Sequence, residues 1–197
     1  MQLKPSELNI PRENAVAFTG HRPDRLAWRY NERDPRCRAL KKRLQSEIIR
    51  AYSEGKRYFL SGMADGIDAY AAEIVMALKK EYPDIRLVCC YPYYYPSRKT
   101  NCFASVADYS VTVCPDYIHG CMSMRNLYMV NHSSELIACF DGSSGGGTAF
   151  TIKTARERGL RVTVIPVWPY IISFCNGKES LSIKGFELIC LHWLSKT

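Results

Sequence analysis

The sequence predicts a three-layer α/β fold, a mostly parallel sheet with helices packed on both faces. Three observations predict it. Short, almost wholly apolar runs such as Tyr58-Phe59-Leu60 and Ile137-Ala138-Cys139-Phe140 alternate with stretches whose apolar residues recur every three to four positions. The short runs are apolar on both sides, as strands covered by helices on both faces are. Glycine-rich breaks follow three of the runs, where a strand must turn into a helix.

Residues 14–18 form the first strand, which stops at Thr19-Gly20. Leu40, Leu44, Ile48 and Tyr52 mark one face of a helix over residues 35–54, and Gly55 follows at the position of a C-terminal cap. Tyr58-Phe59-Leu60 is a strand broken by Ser61-Gly62, and residues 67–80 are a helix through Ala71, Ile74, Val75 and Leu78, closed by Pro83. A strand over 85–91, a loop from Pro92 to Pro96, a short helix over 101–107 and a strand over 110–113 come next. Residues 122–131 read as a helix and 135–140 as a strand ending at Asp141-Gly142. A helix over 148–158, capped by Gly159, and a strand over 161–165, stopped by Pro166, complete a Rossmann-like alternation. No repeat or domain boundary interrupts the chain. The expectation is one domain over residues 1–197, with a core at about 14–166 and a C-terminal extension, 167–197, packed on that core.

The 197 residues are 47% hydrophobic and 23% charged, the balance of a single globular domain. No run of about eighteen apolar residues is present, which excludes a transmembrane helix. The stretch before residue 15 is polar, with Pro5 and Pro11, and lacks the apolar centre of a signal peptide. A cytoplasmic location without a membrane partner is expected. The nine cysteines are odd in number, include no Cys-x-x-Cys pair, and several sit in apolar runs, so they read as buried reduced thiols. Cys114, His119 and Cys121 match no zinc spacing, and no metal is expected. Of the net charge of +8, most lies between Arg22 and Arg57, with twelve Lys or Arg against five Asp or Glu. That excess is either a solvated helix face or a surface that draws in an anionic ligand or nucleic acid.

Three loops carry the candidate chemistry: Thr19-Gly20-His21-Arg22-Pro23-Asp24, then Ser61-Gly62-Met63-Ala64-Asp65-Gly66-Ile67-Asp68, then Asp141-Gly142-Ser143-Ser144-Gly145-Gly146-Gly147-Thr148. Glycine lets backbone approach a ligand closely, and the helix that follows offers free N–H groups and a positive dipole end. Thr19, Ser61 and Thr148 add hydroxyls. Arg22 either binds phosphate through its fork or braces the loop against Asp24, and His21 either meets the ligand or caps backbone groups. Asp68, near a helix start, has a plain stabilising role, while Asp65 is placed to touch a ribose hydroxyl or a base. Arg125, in Met122-Ser123-Met124-Arg125-Asn126, either reaches over the site or lies on the surface. Tyr91, Tyr93, Tyr94 and Tyr95, ahead of Ser97-Arg98-Lys99, either stack a base or line a rigid loop.

Thr19-Gly20-His21-Arg22-Pro23, the Ser61 to Asp68 stretch, Arg125 and Gly146-Gly147-Thr148 together resemble the YpsA-like family of the SLOG superfamily, over about residues 16–166. That superfamily also holds the DprA/Smf DNA-processing proteins and the LOG phosphoribohydrolases. The resemblance implies a Rossmann-like sheet whose Gly62–Gly66 and Gly145–Thr148 loops bind a nucleotide-type ligand. LOG enzymes carry Pro-Gly-Gly-x-Gly-Thr-x-x-Glu, whose glutamate takes part in cleaving the N-glycosidic bond; the matching position here is Thr151. Their arginine, in a Met-His-x-Arg-Lys context, is similar to Arg125.

The expected function is therefore recognition of a nucleotide or nucleotide derivative, as a sensor or partner of another protein. Thr19, Gly20, His21, Arg22, Ser61, Gly62, Asp65, Gly66, Asp68, Arg125, Gly145, Gly146, Gly147 and Thr148 are the expected ligand-binding residues. One alternative is an N-glycosidic hydrolase with Arg125 positioning phosphate and Asp65 as the acid. The other is single-stranded DNA binding, permitted by the basic stretch but not required by the family core. No cofactor is required, and a homodimer is the default assembly.

Overall fold

The computed structural model describes residues 1–93, 103 and 106–167, together with the backbone of residues 171–175, 178–183 and 186–188. Strands apolar on both sides need cover on both sides, and the chain supplies it with two pairs of helices. The sheet consists of β1 (Gln2–Leu3), β2 (Ala15–Gly20), β3 (Tyr58–Ser61), β4 (Arg86–Tyr91), β5 (Tyr109–Thr112), β6 (Glu135–Phe140) and β7 (Arg161–Pro166). Its order is β1-β5-β4-β3-β2-β6-β7, and every neighbouring pair is parallel.

The helices are α1 (Pro35–Ser53), α2 (Ile67–Leu78), α3 (Cys121–Asn131) and α4 (Gly147–Glu157). Alternate residues of each strand enter different cores. Val16, Phe18, Phe59, Leu87 and Ile137 pack with Leu40, Leu44 and Ile48 of α1 and with Ala71 and Val75 of α2. Ala15, Ala17, Leu60, Val88 and Leu136 pack instead with Met129 and Val130 of α3 and with Ile152 and Ala155 of α4. The period of two along each strand thus sets which helix pair each side chain meets.

α1 shows how local signals set an element's ends. The Asp34 carboxylate accepts the Arg36 backbone N–H at 2.8 Å, Pro35 opens the first turn, and the helix stops just before Gly55. Its four-residue stripe is buried as the spacing predicts, except that Tyr52 is half-buried with the Arg57 guanidinium over its ring.

From β2 the chain lays β3, β4 and β5 to one side, then crosses over to add β6 and β7 on the other. The loops leaving β2 and β6 therefore part in opposite directions, which opens a crevice at the carboxyl ends of those strands.

Two elements differ from expectation. The polar N-terminal stretch contributes β1, a two-residue edge strand held by backbone bonds, with the Ser110 N–H donating to the Met1 carbonyl at 2.8 Å. Two residues carry no periodicity to read. Beyond residue 167 the chain forms a separate unit, Trp168–Thr197, in which β8 (Ile171–Cys175), β9 (Lys178–Ile183) and β10 (Phe186–Leu188) make an antiparallel meander. Its side chains, and with them the expected packing on the core, lie outside the described residues. So do most of the helix expected over 101–107 and the tyrosine loop from Tyr94 onward. Cys37, Cys89, Cys90, Cys114, Cys121 and Cys139 are free and buried. Among the described residues no helix is long and apolar enough to cross a membrane.

Leu44 is fully buried between α1 and the sheet. Leu44→Ala is expected to cost about 2–5 kcal/mol in urea unfolding, whereas Gln45→Ala, on the exposed side of the same turn, is expected to stay within about 0.5 kcal/mol.

Candidate functional site

The crevice at the strand-order reversal holds a pocket of about 220 Å³. Its wall comes from three places: the loop after β2, the start of α2 with the loop before it, and the facing N-terminal turns of α3 and α4. Two glycines allow these parts to meet. Gly66 has φ +91°, and a Cβ there would lie 2.6 Å from the His21 carbonyl, so the second loop can close on the first only with glycine at this position. A Cβ on Gly62 would lie 1.4 Å from Arg125 Nη1 and 2.6 Å from Asp68 Oδ2. The space beside Gly62 is occupied by the arginine.

Arg125 is 4% exposed and Asp68 8%. Arg125 Nη1 donates to Asp68 Oδ2 at 3.2 Å, and the Ala64 backbone N–H reaches the same oxygen at 3.4 Å. Ser61 sits behind them; its hydroxyl donates to the Asp68 carbonyl at 2.8 Å and accepts the Met63 N–H at 3.2 Å. Met63 itself is held at φ +55°, a conformation that costs energy in a non-glycine residue. Burial pushes the Asp68 carboxyl up, and the Arg125 charge only partly offsets it. Arg125 Nε is buried without a hydrogen-bond partner among the described residues. A guanidinium lining a pocket is suited to an incoming acceptor.

Other features of the pocket also favour an anion. α4 begins at Gly146 with no side-chain cap, leaving its first N–H groups open beside Thr148. Arg22 and Arg25 line the rim, are exposed, and have no ion-pair partner among the described residues. The Arg22–Asp24 brace, the alternative role for Arg22, is not formed among the described residues. The first loop is tied to the third instead: His21 Nε2 lies 2.9 Å from Asp141 Oδ1 and 3.2 Å from the Asp141 backbone nitrogen. A carboxylate only accepts, so Nε2 carries the proton in the shorter contact. Burial works to raise the Asp141 carboxyl, but hydrogen bonds from Ser143 and His21 outweigh it and hold it at about 2.

Of the residues the sequence singles out, Thr19, Gly20, His21, Arg22, Asp68, Arg125, Gly147 and Thr148 line the pocket. Gly62 and Gly66 shape it from behind. Asp65, Gly145 and Gly146 are exposed and outside its wall. Sequence reasoning passed over Arg25 and Asn126. The turn at Pro23–Arg25 swings Arg25 back until Nη1 is 3.1 Å from where a Gly146 Cβ would stand, a closeness no spacing rule reveals. Asn126 follows Arg125 on α3, and adjacency was its only signal. Thr151 is buried, accepts from Asn126 Nδ2 at 3.0 Å and donates to the Gly147 carbonyl at 2.8 Å. It bonds α3 to α4 and is not part of the pocket wall.

The YpsA family, described as the YspA SLOG family, matches residues 16–165. A UPF0398 protein of Ligilactobacillus salivarius is 26% identical over 149 residues, which is 71% of this chain and 81% of that protein. UPF0398 protein YpsA of Bacillus subtilis is 24% identical over 153 residues, 73% of this chain and 84% of that protein. The structure of DNA processing protein A from Helicobacter pylori, which concerns its single-stranded DNA binding mode, superposes with a TM-score of 0.54 at 19% identity. That alignment covers 77% of this chain and 65% of the other, and it shows a shared fold.

Two measurements check the site. Gly62→Ala is expected to cost about 1–3 kcal/mol in urea unfolding and clearly less in an Arg125→Ala background, because the arginine is the obstacle. Additive costs would mean the two positions do not meet. The lowered Asp141 carboxyl contributes stability that is present above its ordinary 3.8 and lost as pH falls toward about 2. Asp141→Asn should therefore melt below the wild type at pH 6, with the gap closing between pH 4 and pH 2.

Proposed function

The chain belongs to the YpsA SLOG family, and on that premise we propose that it is a binding module for a nucleotide or nucleotide-derived ligand, held by its phosphate. The observation that carries this reading is Arg125, which lines the same pocket as the uncapped start of α4. A phosphate between them would accept from the guanidinium and from backbone N–H groups. Arg22 and Arg25 at the rim would add charge at no cost in broken ion pairs. A sensor or regulatory role fits better than hydrolysis of an N-glycosidic bond. Thr151 offers a hydroxyl already committed to the Gly147 carbonyl, and Asp65 lies outside the wall. A hydrolase would have to draw its acid from Asp24 or Asp68.

Single-stranded nucleic acid is the second reading. Arg22, Arg25, Arg29, Arg33, Arg38, Lys42 and Arg43 have no ion-pair partner among the described residues and run from the pocket rim into α1. Such a stretch is suited to successive backbone phosphates.

A thermal-shift panel of NAD, ADP-ribose, AMP, cyclic dinucleotides and a short oligonucleotide tests both. A ligand at a hundred times its Kd stabilises by about 2.7 kcal/mol, a shift of about 5–10 °C for a chain of this size. The mononucleotide shift is expected to shrink in an Arg22→Ala/Arg25→Ala variant whose own melting temperature is unchanged. An oligonucleotide response that falls steeply with salt would favour the second reading. A flat panel, with mass spectrometry finding nothing carried by the purified protein, would overturn both.

A further inference from the structure

Asn126 lies beside Arg125 in the pocket wall, and its orientation follows from counting protons. The Thr151 hydroxyl has a single proton, which it gives to the Gly147 carbonyl at 2.8 Å. Toward Asn126 it can then only accept, so Asn126 must turn its NH₂ to Thr151, and does so at 3.0 Å. Rotating the amide by half a turn would set two oxygens against each other with no proton between them. The Asn126 carbonyl oxygen is thereby left open, with no hydrogen-bond partner among the described residues, in a pocket that Asn126 lines.

Thr19 and Thr148 bring hydroxyls to the wall, and two further acceptors there are carboxylates. Asp68 is taken up by Arg125 and the Ala64 N–H, and Asp24 is exposed at the rim. Beside a bound phosphate a carboxylate would be repelled, whereas the neutral oxygen of an amide is not. Phosphate donates nothing when fully ionised, so an acceptor held open next to an anion site is matched to a different group of the same ligand.

We propose that the Asn126 carbonyl oxygen, aimed by Thr151, accepts a sugar hydroxyl, so that the pocket selects a phosphorylated sugar with free hydroxyls over the same anion without them. This rests on the phosphate-binding reading above. It makes Asn126 a specificity-determining residue and Thr151 the positioning residue that acts through it.

The test is calorimetric titration of the full chain with AMP and with 2′,3′-dideoxy-AMP, which has the same charge and base but no ribose hydroxyls. The wild type should bind AMP tighter by about five-fold, the worth of one neutral hydrogen bond. Asn126→Leu should bring the ratio of the two affinities close to one. Thr151→Val, which keeps the shape but frees the amide to turn, should lower the ratio without touching any ligand atom; a purely structural role would leave the ratio intact. Should Asn126→Leu fail to fold, Asn126→Ala and Thr151→Val carry the same comparison. Equal affinities in the wild type, or an undiminished ratio in the Asn126 variants, would overturn the inference while the phosphate reading stands. Binding of neither compound, nor of inorganic phosphate, would remove that reading and the inference with it.

Discussion

The carboxyl end of the sheet is organised by one contact, the buried pair between Arg125 and Asp68 lying over Gly62. α2 and α3 cover opposite faces of the sheet, so a bond between their N-terminal halves joins the two layers across the sheet's carboxyl end. Everything else at the site defers to it. Gly62 has no side chain because the guanidinium takes its place, and Ser61 and the Ala64 N–H hold Asp68 where the arginine needs it. Gly66 then lets the second loop close on the first.

A buried ion pair of this kind is poor evidence for stability, because desolvating two charges costs about as much as their attraction returns. What it secures is position. Arg125 keeps a fixed geometry, with its Nε unpartnered among the described residues.

The two ends of the sheet treat charge differently. At the amino end several ions are paired. Arg50 meets Glu47, Glu54 and the buried Glu135; Arg161 meets Glu54; Arg57 meets Asp84; and Lys79 meets Asp108. At the carboxyl end Arg22 and Arg25 stand without ion-pair partners and Arg125 is only partly satisfied. The formal charge of +8 is therefore uneven in a way that composition hides. Arg22 and Arg25 stand where the strand order reverses, the place where the topology opens a cleft.

The sequence by itself determined the layered α/β fold, because periods of two and of about 3.6 are local properties of the chain that survive any tertiary arrangement. Strands β2 to β7 and helices α1 to α4 fall within a few residues of where periodicity and caps put them. It also marked three loops as candidates, since glycine after a strand is a local mark, but it left open whether Arg125 reaches the site or lies on the surface. The tertiary structure alone decided that β1 joins an edge, that Asp68 rather than Asp65 faces the arginine, that Arg25 folds back to Gly146, and that Thr151 orients Asn126. Asp65 and Asp68 have the same chemistry three residues apart. Which of them enters the pocket depends on whether it precedes or follows the turn at Gly66, and so on contacts between segments far apart in the chain, which no local pattern encodes.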